Sequence, residues 1–234
     1  INGFGTFKIA KLAKKINVKH FIYSSSIAVY GSNLKKKITE KSFINPDSIY
    51  GISKFIGEMF INQVLGATKI KTTIFRISNT YGPGENLNFL KKGLVSIYCS
   101  YIWKKKPIIV KGSLKRFRNL NYIDDCVVIL MKTLNNNKLK KNEIINLSSE
   151  KVFTVKKIIQ QIVKINNYKK YKTIVQRGTP GDSFGFNASN KYLKQKFNNF
   201  NFTPLSTGLK MYFKWIKILP INKSLKKFHP LNLK

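Results

Sequence analysis

The chain has 234 residues, 43% of them hydrophobic, and sets 44 Lys and Arg against 9 Asp and Glu for a formal net charge of +35. That length and apolar content support a packed core and exclude a chain disordered by composition. No apolar run reaches the ~18 residues that span a bilayer, so a membrane-embedded protein is not expected.

In chain order, residues 5–17 (GTFKIAKLAKKIN) place Phe7, Ile9, Leu12, Ala13 and Ile16 at helical spacing, with lysines on the outer face. The next segment, 19–26 (KHFIYSSS), reads as a buried strand that ends in three serines. NPDS at 45–48 offers turn and N-cap chemistry, and residues 50–65 then predict a helix with apolar positions at 52, 55, 56, 59, 60 and 64. A second β-rich strand over 71–79 closes on the turn YGPGE at 81–85. This α-β-α-β order is the pattern of a doubly wound parallel sheet.

Further along, the expectations are a helix over 87–106, a strand over 106–112 and a helix over 121–136. That last helix starts near Asp124 and Asp125, carboxylates suited to the positive helix N-terminus. A strand follows over 143–149, then an amphipathic helix over 154–165 capped by Thr154, a loop over 179–189 and a helix over 204–219. Residues 135–142 read as a solvated loop and the tail 220–234 as loosely ordered. No internal repeat is found.

The charge is spread along the chain and is nearly all lysine; arginine occurs only at 76, 116, 118 and 177. Lysine, asparagine, isoleucine, phenylalanine and tyrosine share A/T-rich codons, so the charge reads first as genome composition. A nucleic-acid partner, which clustered cations would favour, is the weaker reading. Scarce arginine agrees, because bidentate phosphate recognition favours that residue, and the scarcity gives each of the four more weight. Cys99 and Cys126 have no metal-ligand spacing and read as reduced buried thiols of a cytoplasmic protein. No metal site is expected.

Three side chains carry chemistry. Tyr50 and Lys54 stand at i and i+4, so both leave one helix face. Ser26 ends the preceding strand, at the rim where parallel sheets bind ligands. A tyrosine with a free pKa of about 10 is a poor base at neutral pH. An ammonium about 4 Å away contributes roughly 4 kcal/mol at an effective dielectric of about 20. At about 1.4 kcal/mol per unit this corresponds to roughly 3 pKa units, enough for general-base chemistry. A serine hydroxyl would fix the same substrate oxygen.

Tyr-x-x-x-Lys alone is a weak signal, but here it stands in a longer frame: VKHFIYSSSIAVYG, SIYGISKFIGE, FRISNTYGPGE, RNLNYIDDC, INLSS and GTPGD, in that order. This series resembles the extended short-chain dehydrogenase/reductase superfamily, in particular the NAD-dependent epimerase/dehydratase family acting on nucleotide-diphospho-sugars, over residues 1–219. The resemblance implies an α/β fold: the second half of a Rossmann-type doubly wound parallel sheet with a smaller C-terminal α/β substrate domain. Residues 1–85 and 119–149 would form the Rossmann part, and 86–118 and 150–219 the substrate-binding part.

It also implies roles. Ser26 would bind the reacting sugar hydroxyl, Tyr50 would abstract its proton, and Lys54 would lower the tyrosine pKa and hold the nicotinamide ribose. NAD would be the cofactor, with NADP as the alternative, contacted also by Asn2, Ser24 and Ile77. Asn79, Arg118 and Arg177 would meet the diphosphate of the nucleotide-sugar. Family dehydratases and decarboxylases carry acidic residues where Ile27 and Ala28 stand, so an epimerase is expected, with a 4-keto reductase harder to exclude. A homodimer through helices 5–17 and 50–65 is implied as well.

Other residues read blandly. Ser25 closes the strand, Asp124 and Asp125 start a helix, His20 and His229 have no partner pattern, Arg116 faces solvent, and Asp182 is a structural loop residue. Asn119 and Ser189 depart from the family, which has aspartate at both places. No glycine-rich phosphate-binding turn precedes Ser26. The expectation is therefore a C-terminal two-thirds of an enzyme, completed by upstream sequence or by a separately encoded N-terminal half. The alternative is an inactive remnant or structural subunit.

Overall fold

A computed structural model describes residues 2–32, 37–90, 93–167, 171–178 and 183–219; Asp182, His229 and the tail lie outside these. The elements in chain order are α1 (Phe4–Lys15), β1 (His20–Ser26), a 3₁₀ turn (Ile27–Tyr30), α2 (Ile49–Leu65), β2 (Lys71–Ile77) and β3 (Asn79–Tyr81). There follow α3 (Leu94–Trp103), β4 (Ile108–Lys111), β5 (Phe117–Tyr122), α4 (Ile123–Leu134) and β6 (Glu143–Leu147). The last are β7 (Val152–Thr154), α5 (Val155–Ile165), β8 (Thr173–Gln176), α6 (Lys191–Lys196) and α7 (Leu205–Lys217). Among the described residues no helix is long and apolar enough to cross a membrane.

The central sheet is parallel, in the order β1-β2-β6. Its register sets Ser24, Ser25 and Ser26 beside Phe75, Arg76 and Ile77, so the C-terminal ends of β1 and β2 share one rim. Successive side chains of β2 point to opposite faces. Ile74 enters the layer of α1 and α2, with Ala10, Ile61 and Leu65. Phe75 enters the opposite layer, where Cys126 and Ile129 of α4 meet Leu193 and Phe197 of the α6 segment. Covered on both faces, the sheet sends apolar side chains into each layer, as a parallel sheet requires.

The remaining elements form a second core around Tyr81, Tyr122, Ile158, Ile162, Leu209 and Tyr212, which joins α3, α5 and α7 to short strands. Here β3 runs parallel to β5, β5 antiparallel to β7, and β4 parallel to β8.

Caps follow the local chemistry. Ser48 accepts a hydrogen bond from the Gly51 amide at the start of α2, and Thr154 accepts one from Lys157 at the start of α5. The helix expected over 87–106 begins only at Leu94, because Gly93 adopts φ +79° and the Asn86 side chain accepts from the Asn88 amide to form a turn. β5 escapes a periodicity reading, because asparagine and arginine, residues poorly suited to strands, occupy it. Their partners are distant: Asn119 donates to the Ser149 carbonyl at 2.7 Å, and Asn121 to the Leu147 carbonyl at 3.0 Å. Arg116 does not face solvent as expected. It is 7% exposed and its Nε donates to the Ser113 carbonyl at 3.3 Å. Asp125 does more than start α4, accepting from both the amide and hydroxyl of Thr203. Cys99 and Cys126 are free and buried, and burial pushes the Cys126 thiol up to about 11.

Candidate active site

Two glycines let α2 lie unusually close to β1 and to the 3₁₀ turn that follows it. A Cβ at Gly51 would collide with the Ala28 carbonyl oxygen, and one at Gly57 with the Tyr23 phenol oxygen. The close approach brings the first turns of α2 over the strand rim, where a cavity of about 490 Å³ opens. Ser24, Ser26, Tyr50, Lys54, Ile77, Asn79 and Arg118 all line it.

Lys54 Nζ donates to the Ser24 carbonyl at 2.8 Å. It lies 5.2 Å from the Tyr23 ring centre and 5.9 Å from that of Tyr50, so the ammonium rests between two aromatic rings. Burial holds its pKa below the ordinary lysine range. Tyr50 is 52% exposed, open to a ligand entering the cavity. Ser26 is buried and its Oγ accepts from the Ala28 amide at 3.2 Å, a bond that leaves its own proton available to donate.

Arg118 is anchored by backbone: Nη1 donates to Phe117 at 2.8 Å and to Phe184 at 3.1 Å, and Nη2 to Ser183 at 2.8 Å. Burial, then the neighbouring Arg116 charge, push it down to about 10, which leaves it cationic at neutral pH. With Lys54 it gives the cavity two positive groups.

Not every expected residue joins this cluster. Asn2 donates to Ser53 Oγ at 3.2 Å, and Ser53 donates to the Tyr50 carbonyl at 2.8 Å, so Asn2 braces the first turn of α2 from behind. Arg177 is exposed beyond β8 and is not among the described residues that line the cavity. Ser25 also lines the cavity, and its hydroxyl donates to Glu58. Sequence reasoning did not pick out Ser78, Thr80, Ser183 and Phe186, which also line the cavity. Ser78 and Thr80 flank Asn79, which was the available signal. The Ser78 hydroxyl is buried and has no partner among the described residues.

A parallel sheet with helices on both faces, and a serine, tyrosine and lysine around a cavity at its C-terminal rim, define a Rossmann-type α/β protein of short-chain dehydrogenase/reductase character. The model of the NAD dependent epimerase/dehydratase family matches residues 1–148, and the chain belongs to that family. It is 31% identical over 163 residues to a putative UDP-glucose 4-epimerase of Methanocaldococcus jannaschii, covering 69% of this chain and 52% of that protein. It is 27% identical over 165 residues to the human dTDP-D-glucose 4,6-dehydratase, covering 70% of this chain and 45% of that protein. The fold is similar to the crystal structure of a UDP-glucose 4-epimerase from Thermotoga maritima with UDP-glucose, with a TM-score of 0.86, 25% identity, and coverage of 92% of this chain and 69% of that one. The chain thus spans about half the length of the curated relatives it matches.

Proposed function

We propose that this chain carries the acid–base centre of an NAD-dependent nucleotide-sugar epimerase. The observation that supports it most is the gathering of Ser26, Tyr50 and Lys54 around one cavity at the strand rim, with the Arg118 guanidinium on the same cavity. The Arg118 cation suits the diphosphate of a nucleotide-sugar, and Asn79 supplies an amide on the same cavity. A buried hydroxyl without a partner costs about 1–3 kcal/mol, which a polar ligand atom at Ser78 would relieve.

In this reading Ser26 donates to the oxygen of a sugar ring hydroxyl and holds it against the Tyr50 phenol. Tyr50 takes the hydroxyl proton in one direction and returns it in the other. Lys54 stabilises the phenolate by its charge. The residues present fit the nicotinamide-ribose end of NAD: Lys54 and Tyr50 offer polar groups, the Ser24 carbonyl an acceptor, and Ile77 an apolar edge. NAD, when bound, supplies the hydride acceptor and donor. Ile27 and Ala28 also line the cavity and carry no proton-transfer group, which favours epimerisation over dehydration. Exposed Phe4, Ile9 and Leu12 of α1, with Ile52, Ile56 and Met59 of α2, support a homodimer through these two helices.

The test is interconversion of UDP-glucose and its 4-epimer, followed by chromatography, with NAD and a glycine-rich N-terminal half supplied to the chain. Tyr50→Phe is expected to lower turnover by at least about 10²-fold. A wild-type protein that neither binds nor turns over nucleotide-sugars overturns the proposal, as does a Tyr50→Phe variant of undiminished activity.

A further inference from the structure

A buried polar chain outside the reacting groups joins α2 to all three strands of the central sheet. Glu58 and Arg76 are 5% and 4% exposed and pair at 2.7 Å. Arg76 Nε also donates to Glu58 Oε1 at 3.1 Å, and its Nη1 donates to the Tyr30 hydroxyl at 2.9 Å. Tyr30 in turn donates to Asn146 Oδ1 of β6 at 2.8 Å. On the side of β1, the Ser25 hydroxyl donates to Glu58 Oε1.

Tyr50, Lys54 and Glu58 follow one another at i, i+4 and i+8, one helical turn apart on a single stripe of α2. They meet consecutive residues of β1, since Lys54 reaches the Ser24 carbonyl and Glu58 the Ser25 hydroxyl. Two directional attachments one turn apart fix both the rotation and the height of the helix against the strand. Packing does not do this alone. A cavity of about 200 Å³, lined by Phe55, Met59, Ile74 and Ile144, lies beside Glu58 and Arg76. Nor does stability explain the pair, because the desolvation of two buried charges offsets most of their attraction.

We propose that Glu58, held by Arg76, is a positioning residue: through Ser25 it registers α2 on β1 and so sets Tyr50 and Lys54 relative to Ser26. Its bearing on turnover rests on the epimerase reading; its effect on geometry does not.

Ser25→Ala removes one hydrogen bond and Ser25→Thr retains the hydroxyl. Glu58→Gln leaves Arg76 without its counter-charge and risks unfolding, so the Ser25 variants carry the test. The lysines are reductively methylated with ¹³C-formaldehyde, and the Lys54 signal is assigned by its loss in Lys54→Arg. The groups facing this ammonium are the Tyr23 and Tyr50 rings and the Ser24 carbonyl. In Ser25→Ala the Lys54 titration is expected to move up by about half a unit as water reaches the amine. Tm should stay within about 2 °C of the wild type, and Ser25→Thr should restore the original titration. In an active protein kcat should fall about tenfold with KM little changed.

An unmoved Lys54 titration in Ser25→Ala overturns the proposal, as does a Ser25→Thr variant that fails to restore it. A general loss of Tm with all lysine signals shifting together overturns it too, because that is plain destabilisation. A Lys54 shift in a protein without turnover leaves the positioning intact and sinks the epimerase reading alone.

Discussion

The ammonium of Lys54 sits on the backbone of β1, 2.8 Å from the Ser24 carbonyl oxygen, on the wall of the cavity. Because burial depresses its pKa, charging Lys54 in the folded state opposes folding. That cost is present at neutral pH and fades as pH rises through the depressed folded pKa towards the unfolded value of about 10.4. Lys54→Met should therefore leave stability at pH 7 within about 1 kcal/mol of wild type, or raise it. Urea unfolding at two pH values checks this: wild type should gain on the variant between pH 7 and pH 10. Turnover should fall by about 10²-fold or more.

Breaking the buried pair should cost far more than replacing it. Arg76→Met strands the Glu58 carboxylate in the core and is expected to cost about 3–5 kcal/mol in denaturant melts. The double variant Glu58→Leu with Arg76→Met should recover most of that loss. Equal destabilisation by the single and double variants would show that packing, not the unpaired charge, sets the cost.

Gly57→Ala tests the close approach of α2 to β1. Alanine favours a helix interior by about 1 kcal/mol over glycine. Here its methyl would meet the Tyr23 phenol, and overpacking of that kind costs about 1–3 kcal/mol. The expected net result is a loss of stability, measured by urea midpoint. A more stable variant would mean that Tyr23 moves aside without penalty.

Glu143 links stability to acid. Burial alone would raise its pKa, but hydrogen bonds from Lys196, Tyr192 and the Lys140 amide outweigh burial and lower it. A carboxylate with a lowered folded pKa contributes stability above its unfolded pKa of about 4.3, and loses it as pH falls through the folded value. Lys196→Met should therefore destabilise by about 1–3 kcal/mol at pH 7. The gap to wild type should close as pH drops below 4, read from urea melts along a pH series.

Local spacing carried much of the fold. The helical periods of 5–17, 50–65, 154–165 and 204–219 match α1, α2, α5 and α7, and the apolar runs match β1, β2, β4 and β6. The short strands β3, β7 and β8 and the six-residue α6 were not legible, because each holds at most two apolar residues and so shows neither a run nor a period. Tyr50 and Lys54 could be placed together because one helical turn relates them. Their meeting with Ser26 followed from the rim rule for parallel sheets.

What the sequence alone determined about this protein is therefore whatever lies within one helix, one strand or one turn: the elements, their caps, and the Tyr50–Lys54 stripe. Only the tertiary structure decided which distant polar groups meet. Arg76 found Glu58 18 positions away, Arg118 found Ser183 65 away, and Tyr30 found Asn146 116 away. A buried arginine or asparagine must find a partner wherever packing puts one, and no spacing in the chain encodes that choice. Arg116, read as a surface residue, proved buried, and the packing of the tertiary structure alone decided that.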